Sequence, residues 1–492
     1  MHLGSSVTRR RLLGGFGGVG ALALLAACAA PAPTATPIPA KPAEAPKPAA
    51  PAVAPAKPAE APKPAEAAKP AAPAAAPAAV KPAAGAPAPM RLHVRAGPEE
   101  DLWPAIIPQF EQKYNVKFEL IQVPHAEHVQ KMQTMIAAGE LGDVIHNFTG
   151  DSSFQLFVAS GIAIPLDKYV ADEKFELSQY YKFTIDLCKV DGKLGGLPFK
   201  GHPSRVGIFH NIDLLKAAGA KIPTNNSTYD DLVEAAKKVH KQTGTDVETY
   251  GWSNPGRDIE FYILMSRFGG KGDIFSADGK KSRLNEAEVQ WGWTWTHDMF
   301  NVHKVGMNPL ATNPDPSTAF LNGKLAIFRS NVGTKAAYQK IDKFKWGMTL
   351  APKGPGGQRG SLAQADVVGV TKFSKVPDIG WQFLKAMTSK DAGIILGKQT
   401  GNKSATPGGR ADVYESPDLV KLPYPEGVQD NTALAMKEAE PFTAPYNFRG
   451  PEVQRAIDPL YDSLVLGKSK ADKAYYDQLH QAVQDVLDKG RP

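Results

Sequence analysis

The fold is decided by residues 117–145, which read KFELIQVPHAEHVQKMQTMIAAGELGDVI. The run from Lys117 to Val123 predicts a strand, and Asp143-Val144-Ile145 predicts a second, buried strand. Between them, His125 to Ala138 predicts a helix that ends at Gly139, because glycine readily adopts the left-handed conformation after a helix. Strand, helix and strand in succession are the repeating unit of α/β proteins.

The same alternation extends in both directions from that stretch. Leu92-His93-Val94 predicts an earlier strand, and a helix follows it to about Tyr114. Thr228 predicts a helix start, because Asp231 lies three residues after it in a capping-box arrangement, and we expect that helix to end at Gly244. The pattern therefore predicts an α/β fold well beyond the stretch that decides it.

The length of the patterned region indicates more than one core. A final helix is predicted at about 471–488, so the alternation covers most of 91–492. One hydrophobic core seldom grows beyond about 250–300 residues. We therefore expect two lobes.

An export signal is predicted at residues 1–28. Its uncharged stretch, Leu12 to Ala27, is rich in glycine and shorter than the roughly 20 apolar residues that a membrane-spanning helix needs. Thr8-Arg9-Arg10-Arg11-Leu12-Leu13 resembles a twin-arginine export motif, and Leu25-Ala26-Ala27-Cys28 resembles a lipobox. We expect Cys28 to carry lipid and to anchor the exported chain on the outer face of the cell membrane.

A low-complexity segment follows at residues 29–89. It contains 18 prolines among alanine, lysine and glutamate, and it lacks the apolar residues that repay the entropy of folding. This composition predicts a disordered Pro/Ala-rich linker that acts as a semi-rigid spacer between the membrane and the folded domain.

Charge and cysteine content argue against a nucleic-acid partner and against an internal disulfide. The chain carries a net charge of +7, but nine basic and three acidic residues precede residue 90, which leaves about +1 for the rest. Nothing in this balance favours nucleic acid as a partner. Cys28 and Cys188 are the only cysteines, so the mature domain has no internal disulfide, and Cys188 is predicted to be buried.

Six short motifs occur along 91–492 in a characteristic order. They are Ala138-Gly139-Glu140-Leu141-Gly142-Asp143-Val144, Asp191-Gly192-Lys193-Leu194-Gly195-Gly196-Leu197-Pro198, Asn211-Ile212-Asp213-Leu214-Leu215-Lys216-Ala217-Ala218-Gly219, Thr228-Tyr229-Asp230-Asp231-Leu232, Ala319-Phe320-Leu321-Asn322-Gly323-Lys324-Leu325-Ala326 and Ala351-Pro352-Lys353-Gly354-Pro355-Gly356-Gly357. This order resembles that of family 1 extracellular solute-binding proteins, the group that contains the maltose-binding and other sugar-binding components of ABC importers.

The resemblance implies a two-lobe, type II-like periplasmic-binding-protein fold with a hinge and an interlobe ligand cleft. The first lobe would comprise 91–200 and 362–420, and the second 204–358 and 425–492. Ligand crevices form at the carboxyl ends of strands in open α/β sheets, and closure of two such lobes buries a solute between them.

The implied function is that of the substrate-binding component of an ABC importer, which captures a small solute and delivers it to membrane permease subunits. A saccharide is the first choice, and the resemblance implies a monomer without catalytic activity, cofactor or metal. An anionic or amino-acid-like solute stays open, because Lys200, Arg205, Arg257 and Arg449 could bind an anion. An exported hydrolase and an adhesive lipoprotein are the alternatives from other classes. The sequence contains no Gly-x-Ser-x-Gly elbow, no His-Glu-x-x-His motif and no phosphate-binding glycine loop.

Candidate ligand-binding residues lie in the loops expected to face the cleft. Saccharides are bound by flat aromatic faces together with acids, amides and arginines that read hydroxyl groups. The predicted set is Glu99, Asn147, Phe148, Asp151, His202, Trp252, Arg257, Asp258, Glu260, Asn331, Gln364, Asp366, Tyr446, Phe448 and Arg449. Arg95, Glu100, Lys200 and Arg205 are further candidates in the same loops.

We predict no ligand-binding role for three other groups of residues. Trp291, Trp293 and Trp295 are predicted to pack in the core. His125 and His128 lack a third metal ligand nearby and are predicted to lie on a helix surface. The pairs Tyr180-Tyr181 and Tyr475-Tyr476 resemble the tyrosine pairs of iron-binding relatives, but they lie in predicted helices away from the cleft.

Overall fold

The computed structural model describes residues 89–96, 101–124, 127–254, 256–269, 272–401, 405–441 and 443–491. The predicted export signal, Cys28 and nearly all of the predicted spacer lie outside these ranges, and so do Glu99, Glu100 and His125. In the described part of the chain, no helix has both the length and the apolar content needed to cross a membrane.

Strands and helices alternate along the described chain. The strands are β1 (Met90–Arg95), β2 (Phe118–Val123), β3 (Val144–Phe148), β4 (Lys189–Val190), β5 (Lys193–Leu194), β6 (Leu197–Pro203), β7 (Gly207–Asn211), β8 (Lys241–Thr243), β9 (Asp246–Ser253), β10 (Leu325–Ser330), β11 (Trp346–Leu350) and β12 (Ala363–Val370). The helices before β10 are α1 (Leu102–Tyr114), α2 (His128–Ala138), α3 (Ser153–Ala159), α4 (Asp167–Asp172), α5 (Lys182–Leu187), α6 (Ile212–Ala217), α7 (Tyr229–Val239), α8 (Ile259–Arg267), α9 (Ala287–Asn301) and α10 (Pro316–Leu321). Those after it are α11 (Lys335–Tyr338), α12 (Pro377–Met387), α13 (Lys390–Gly397), α14 (Ala411–Tyr414), α15 (Pro417–Val420), α16 (Val428–Lys437), α17 (Gly450–Val465) and α18 (Lys473–Leu487).

Ten of these strands form two five-stranded mixed sheets. The first sheet has the order β2-β1-β3-β12-β6, with β1 parallel to β2 and β3, and β12 antiparallel to β3 and β6. The second has the order β11-β7-β10-β9-β8, with β9 and β10 parallel. Because β12 joins the first sheet only after the chain has formed the second, the first sheet is discontinuous in sequence.

Segments that connect the two sheets are hydrogen-bonded side by side. The Ser204 amide, between β6 and β7, donates to the Leu362 carbonyl at 2.8 Å, just before β12. The Ala363 amide donates to the Glu440 carbonyl at 2.6 Å, so a third segment lies beside the other two. The exact bounds of the two lobes stay a prediction.

Apolar residues on both sides of each sheet form the core. Every residue of β12 is buried, as expected for a strand covered on both faces. Trp293 is fully buried against Tyr262, at 5.7 Å between ring centroids, and Trp295 is also buried. The predicted core packing of the tryptophans is confirmed, with Trp291 partly buried against the same cluster.

Helix α7 begins as predicted but ends earlier. Thr228 Oγ1 accepts from the Asp231 amide at 3.0 Å, and the Asp231 carboxylate accepts from the Thr228 amide at 2.9 Å, which completes the capping box. The predicted end at Gly244 is wrong, because α7 stops at Val239 and residues 241–253 form the β8–β9 hairpin. Gly244 has a φ of +61° and lies in the hairpin turn, a conformation that suits glycine.

Two single-residue predictions have different outcomes. Cys188 is buried as predicted, and burial raises the pKa of its thiol far above the ordinary value. His128 was predicted on the surface, which is wrong: the side chain is only 4% exposed, since α2 turns this face toward β3.

Candidate functional site

Two adjoining cavities, of about 610 Å³ and 520 Å³, together define a cleft. Arg95, Phe148 and Asp151 line both cavities, so the two are direct neighbours. Arg95 ends β1 and Phe148 ends β3, which are neighbouring parallel strands of the first sheet. The cleft therefore lies at the carboxyl ends of parallel strands, where α/β sheets bind ligands.

The second sheet contributes the opposite side of the smaller cavity. Asp258 and Glu260 follow β9, and Asn331 follows β10, the parallel pair of that sheet. Asn331 Nδ2 lies 3.2 Å from Nδ1 of His202, which belongs to β6 of the first sheet. This hydrogen bond joins groups held by the two sheets across the floor of the cleft.

Asp366 is the centre of a buried polar network on the first sheet. Its Oδ1 lies 3.2 Å from both Arg95 Nη2 and His146 Nε2, and its Oδ2 lies 3.8 Å from His202 Nε2. Burial opposes ionisation, but Arg95, the His146 hydrogen bond and Lys200 outweigh it and hold the pKa of the Asp366 carboxyl well below its usual range. Asp366 is thus a fixed negative charge that orients the donors around it.

His202 is neutral in this network. Burial lowers its pKa to about 4, and nearby Lys200 and Arg95 act in the same direction against the opposing effect of Asp366. Its ring lies parallel to the Phe148 ring, with 6.3 Å between centroids and 12° between planes. Both residues line the smaller cavity, and aromatic rings suit the C–H faces of a sugar.

A second carboxylate group lies across the cleft from Asp366. Glu260 Oε2 accepts hydrogen bonds from Ser204 Oγ and Gln364 Nε2, and Arg205 pairs with Asp258. Burial, followed by the negative charge of Asp258, raises the pKa of Glu260 to about 7, although Arg205 and both hydrogen bonds oppose the shift. Glu260 is therefore able to exist in either protonation state near neutral pH.

The larger cavity is lined by side chains from β3 and the start of α17. Asn147 Oδ1 accepts from the Phe148 amide at 2.8 Å and from Ser153 Oγ at 2.6 Å, which fixes the amide plane. Its Nδ2 has no hydrogen-bond partner within the described residues, although the side chain is only 2% exposed. Phe448 and Arg449, just before α17, complete this wall.

Most of the predicted site residues lie along this cleft. Those that line it are Asn147, Phe148, Asp151, His202, Arg257, Asp258, Glu260, Asn331, Asp366, Phe448 and Arg449, together with the further candidates Arg95, Lys200 and Arg205. Whether they contact a solute stays a prediction.

Three described residues of the predicted set do not line the cleft. Gln364 is fully buried behind it and bonded to Glu260. Trp252 is fully buried on β9 against the edge of Trp295, at 5.2 Å between centroids. Tyr446 donates its hydroxyl to the Lys489 carbonyl at 3.2 Å, away from both cavities. Glu99 lies outside the described residues.

Sequence reasoning missed several lining residues. His128 and His146 line the larger cavity with 6.1 Å between their ring centroids, and Gln454 and Arg455 reach the cleft from α17. His146 precedes Asn147 on the same strand, so the strand end was the available signal. In the described ranges, no cluster of three or more His, Cys, Asp or Glu side chains is arranged to hold a metal ion.

Comparison with known proteins gives consistent matches. The sequence model of the bacterial extracellular solute-binding protein family matches residues 96–394. A binding protein of Brucella abortus (strain 2308) is 27% identical over 384 residues, which covers 73% of this chain and 83% of that protein. The lactose-binding protein of Rhizobium radiobacter is 25% identical over 303 residues, covering 59% of this chain and 65% of that protein.

Solved structures match most of this chain. An ABC substrate-binding protein from Listeria monocytogenes in complex with cycloalternan has a TM-score of 0.69 at 20% identity, covering 81% of this chain and 99% of that one. Maltose-bound T. maritima MalE3 has a TM-score of 0.64 at 20% identity, with the same coverage. The similarity confirms the predicted two-lobe α/β fold class.

Proposed function

The chain belongs to the bacterial extracellular solute-binding protein family, and from that premise we propose that it is the substrate-binding component of an ABC importer for a saccharide. The cleft carries this proposal: its two adjoining cavities combine aromatic rings with buried acids, amides and arginines. Such a mixture binds sugar rings by their apolar faces and their hydroxyl groups. The lactose-binding relative and the cycloalternan-bound structure support a saccharide as the solute class.

The mechanism is capture followed by closure. Solute enters between the lobes, and rotation about the hydrogen-bonded connecting segments at Ser204, Leu362 and Glu440 brings the two walls together. The closed, loaded form then docks on membrane permease subunits. We propose no catalytic role for Asp258 and Glu260. Asp258 is paired with Arg205, and its carboxylate caps α8 by accepting from the Glu260 amide at 2.8 Å.

A calorimetric and thermal-shift screen of mono- and oligosaccharides with the full chain tests the function. We expect one saccharide class to bind and to raise the melting temperature, since a ligand that binds only the folded state stabilises it. Loss of binding in the Phe148→Ala variant, with an unchanged melting curve of the unliganded protein, would place the sugar against the Phe148 and His202 rings. If no saccharide binds, the proposed solute class is wrong.

We propose that the domain is held at the outer face of the cell membrane by lipid on Cys28. The twin-arginine-like start, the lipobox-like Leu25-Ala26-Ala27-Cys28 and the Pro/Ala-rich segment support this arrangement. Metabolic labelling with a fatty-acid analogue should label the wild-type chain and not Cys28→Ala. Equal labelling, or equal membrane association, of the two chains would contradict it.

A further inference from the structure

Helix α8 contacts all three of the connecting segments that are hydrogen-bonded side by side between the sheets. We call them the first segment (204–206, between β6 and β7), the second (351–362, between β11 and β12) and the third (438–441, after α16). All nine residues of α8 are buried. One short helix therefore lies against every part of the chain about which we propose that the lobes rotate.

The N-terminal end of α8 holds the first segment and the strand that follows the second. Glu260 accepts hydrogen bonds from Ser204 Oγ and from Gln364 Nε2 on β12. Asp258, which caps the helix, pairs with Arg205 of the first segment. Asp258 and Glu260 also line the smaller cavity. This end of the helix therefore belongs both to the cleft and to the connections between the sheets.

Arg267 holds the second and third segments at the C-terminal end of α8. Its Nη1 donates to the Ser361 carbonyl at 2.8 Å, and its Nη2 donates to the Pro441 carbonyl at 3.0 Å. The same Nη2 pairs with Asp273 at 2.6 Å. The side chain is only 8% exposed and lines neither cavity of the cleft. A guanidinium group suits this role, because its N–H donors spread in one plane and reach several acceptors at once.

Backbone packing brings the second segment against the same end of α8. A Cβ at Gly354 would collide with the Phe268 carbonyl, and a Cβ at Gly360 would collide with the Arg267 carbonyl. Glycine, which has no Cβ, allows two backbones to approach this closely. The glycine-rich motif after β11 is thus explained by the fit of this segment against the helix end.

Building on the proposed capture of solute by closure, we propose that Arg267 is a positioning residue for that closure. It fixes the second and third segments to one end of α8, while the other end of the helix forms part of the solute cavity. At 1.5 Å per residue the helix is about 13 Å long and acts as a rigid rod, so a displacement at Arg267 also moves Asp258 and Glu260. Loss of this clamp weakens solute binding although Arg267 itself touches no solute.

Arg267→Met in the full chain tests the inference, because methionine keeps the apolar part of the side chain and removes its hydrogen bonds. We expect the affinity for the saccharide identified by screening to fall about fivefold or more, chiefly through faster dissociation. The contraction that small-angle scattering records on binding should also be smaller. Arg410→Met is the matched control: Arg410 is a mostly buried arginine whose partners, Gln179 and Asp412, lie outside the connecting segments.

Hydrogen exchange of the solute-free protein tests the clamp without any solute. The Ala363 amide donates to the Glu440 carbonyl at 2.6 Å and so joins the third segment to the start of β12, directly after the second segment. In Arg267→Met this amide should exchange about tenfold faster, because the hydrogen bonds that hold the two segments beside α8 are lost. In Arg410→Met its exchange should match that of the wild type.

Gly360→Ala decides the question if Arg267→Met does not fold. Its Cβ pushes the second segment away from the Arg267 carbonyl without removing a charge, so we expect the same changes in affinity and exchange. Gly490→Ala is its control, because a Cβ there meets no atom within 4 Å. If the folded variants bind, contract and exchange like their controls, the inference is overturned while the saccharide function stands. If no saccharide binds the wild type, the proposed function fails, and hydrogen exchange still decides whether Arg267 fixes the connecting segments.

Discussion

Asp366 and Glu260 are two buried carboxyl groups in one cleft with opposite properties. Asp366 is surrounded by Arg95, Lys200 and two histidines, which keep its pKa well below the usual range. Glu260 is buried beside another acid, which raises its pKa to about 7 in spite of Arg205. The difference arises from the neighbours, since both groups are almost fully buried. One residue therefore serves as a permanent charge and the other as a proton acceptor near neutral pH.

Asp366→Asn should destabilise the protein by roughly 3–5 kcal/mol at pH 7, because it leaves buried cations without their counter-charge. The depressed pKa means that the stabilisation is present above 3.8, the ordinary value, and is lost as the pH falls through the folded-state value. Urea denaturation should therefore show a gap between wild type and variant that narrows in acid. The exposed Asp172→Asn, which breaks a surface pair with Lys168, should not change the free energy of unfolding measurably. Equal effects of the two substitutions would show that the Asp366 network is not stabilising.

Glu260→Gln tests a pH dependence of stability that has the opposite sign to that of Asp366. Between pH 4.5 and 7 the folded protein keeps a proton on Glu260 that the unfolded chain releases, so wild-type stability falls as the pH rises through this window. The loss is on the order of 3 kcal/mol. The glutamine variant keeps an amide oxygen for Ser204 and Gln364 but does not titrate, so its stability relative to wild type should rise across the same window. Parallel pH profiles in urea denaturation would contradict the raised pKa.

At the scale of elements, the sequence predicts the start or end of a helix correctly where neighbouring residues determine it. The capping box at Thr228 and the left-handed Gly139 after α2 appear as predicted, because both depend on neighbours within four residues. The predicted end of α7 was wrong, since residues 241–253 form the β8–β9 hairpin, which belongs to the second sheet.

The site could be predicted only in part, because the sequence shows where a strand ends but not which of its sides faces the cleft. Strand ends could be placed from the apolar pattern, which brought Asn147, Phe148 and Asn331 to the cleft. The side of a strand or helix that faces the cleft depends on tertiary packing. This is why Trp252 lies in the core and His128 is buried at the cleft.

Thr228→Ala should cost about 1 kcal/mol, because both hydrogen bonds of the capping box are lost at the start of α7. Chemical denaturation measures the change. Thr134→Ala, an exposed position inside α2, is the matched control and should shift the free energy of unfolding by less than about 0.5 kcal/mol. A larger loss at Thr134 than at Thr228 would argue against the cap as a source of stability.

For the whole molecule, several contacts join the two walls of the cleft. The Asn331–His202 hydrogen bond is one, and the contact of Gly450 with Asp151 is another. Asp151 follows β3 of the first sheet, whereas Gly450 opens α17, which packs on α8 and α9 beside the second sheet. A solute held in the cleft lies between these points, so affinity should depend on how closely they approach.

Gly450→Ala should therefore weaken solute binding without unfolding the protein. A Cβ at this position would lie 2.0 Å from the Asp151 carbonyl oxygen, so the two walls must separate to admit it. We expect the affinity for the saccharide identified by screening to fall about tenfold, and the contraction seen by small-angle scattering on binding to be smaller. Gly490→Ala is the control, because its Cβ would meet no atom within 4 Å. If Gly450→Ala binds and contracts like wild type, the contact between Gly450 and Asp151 does not limit closure, and the cleft must close by a movement that leaves α17 apart from the first sheet.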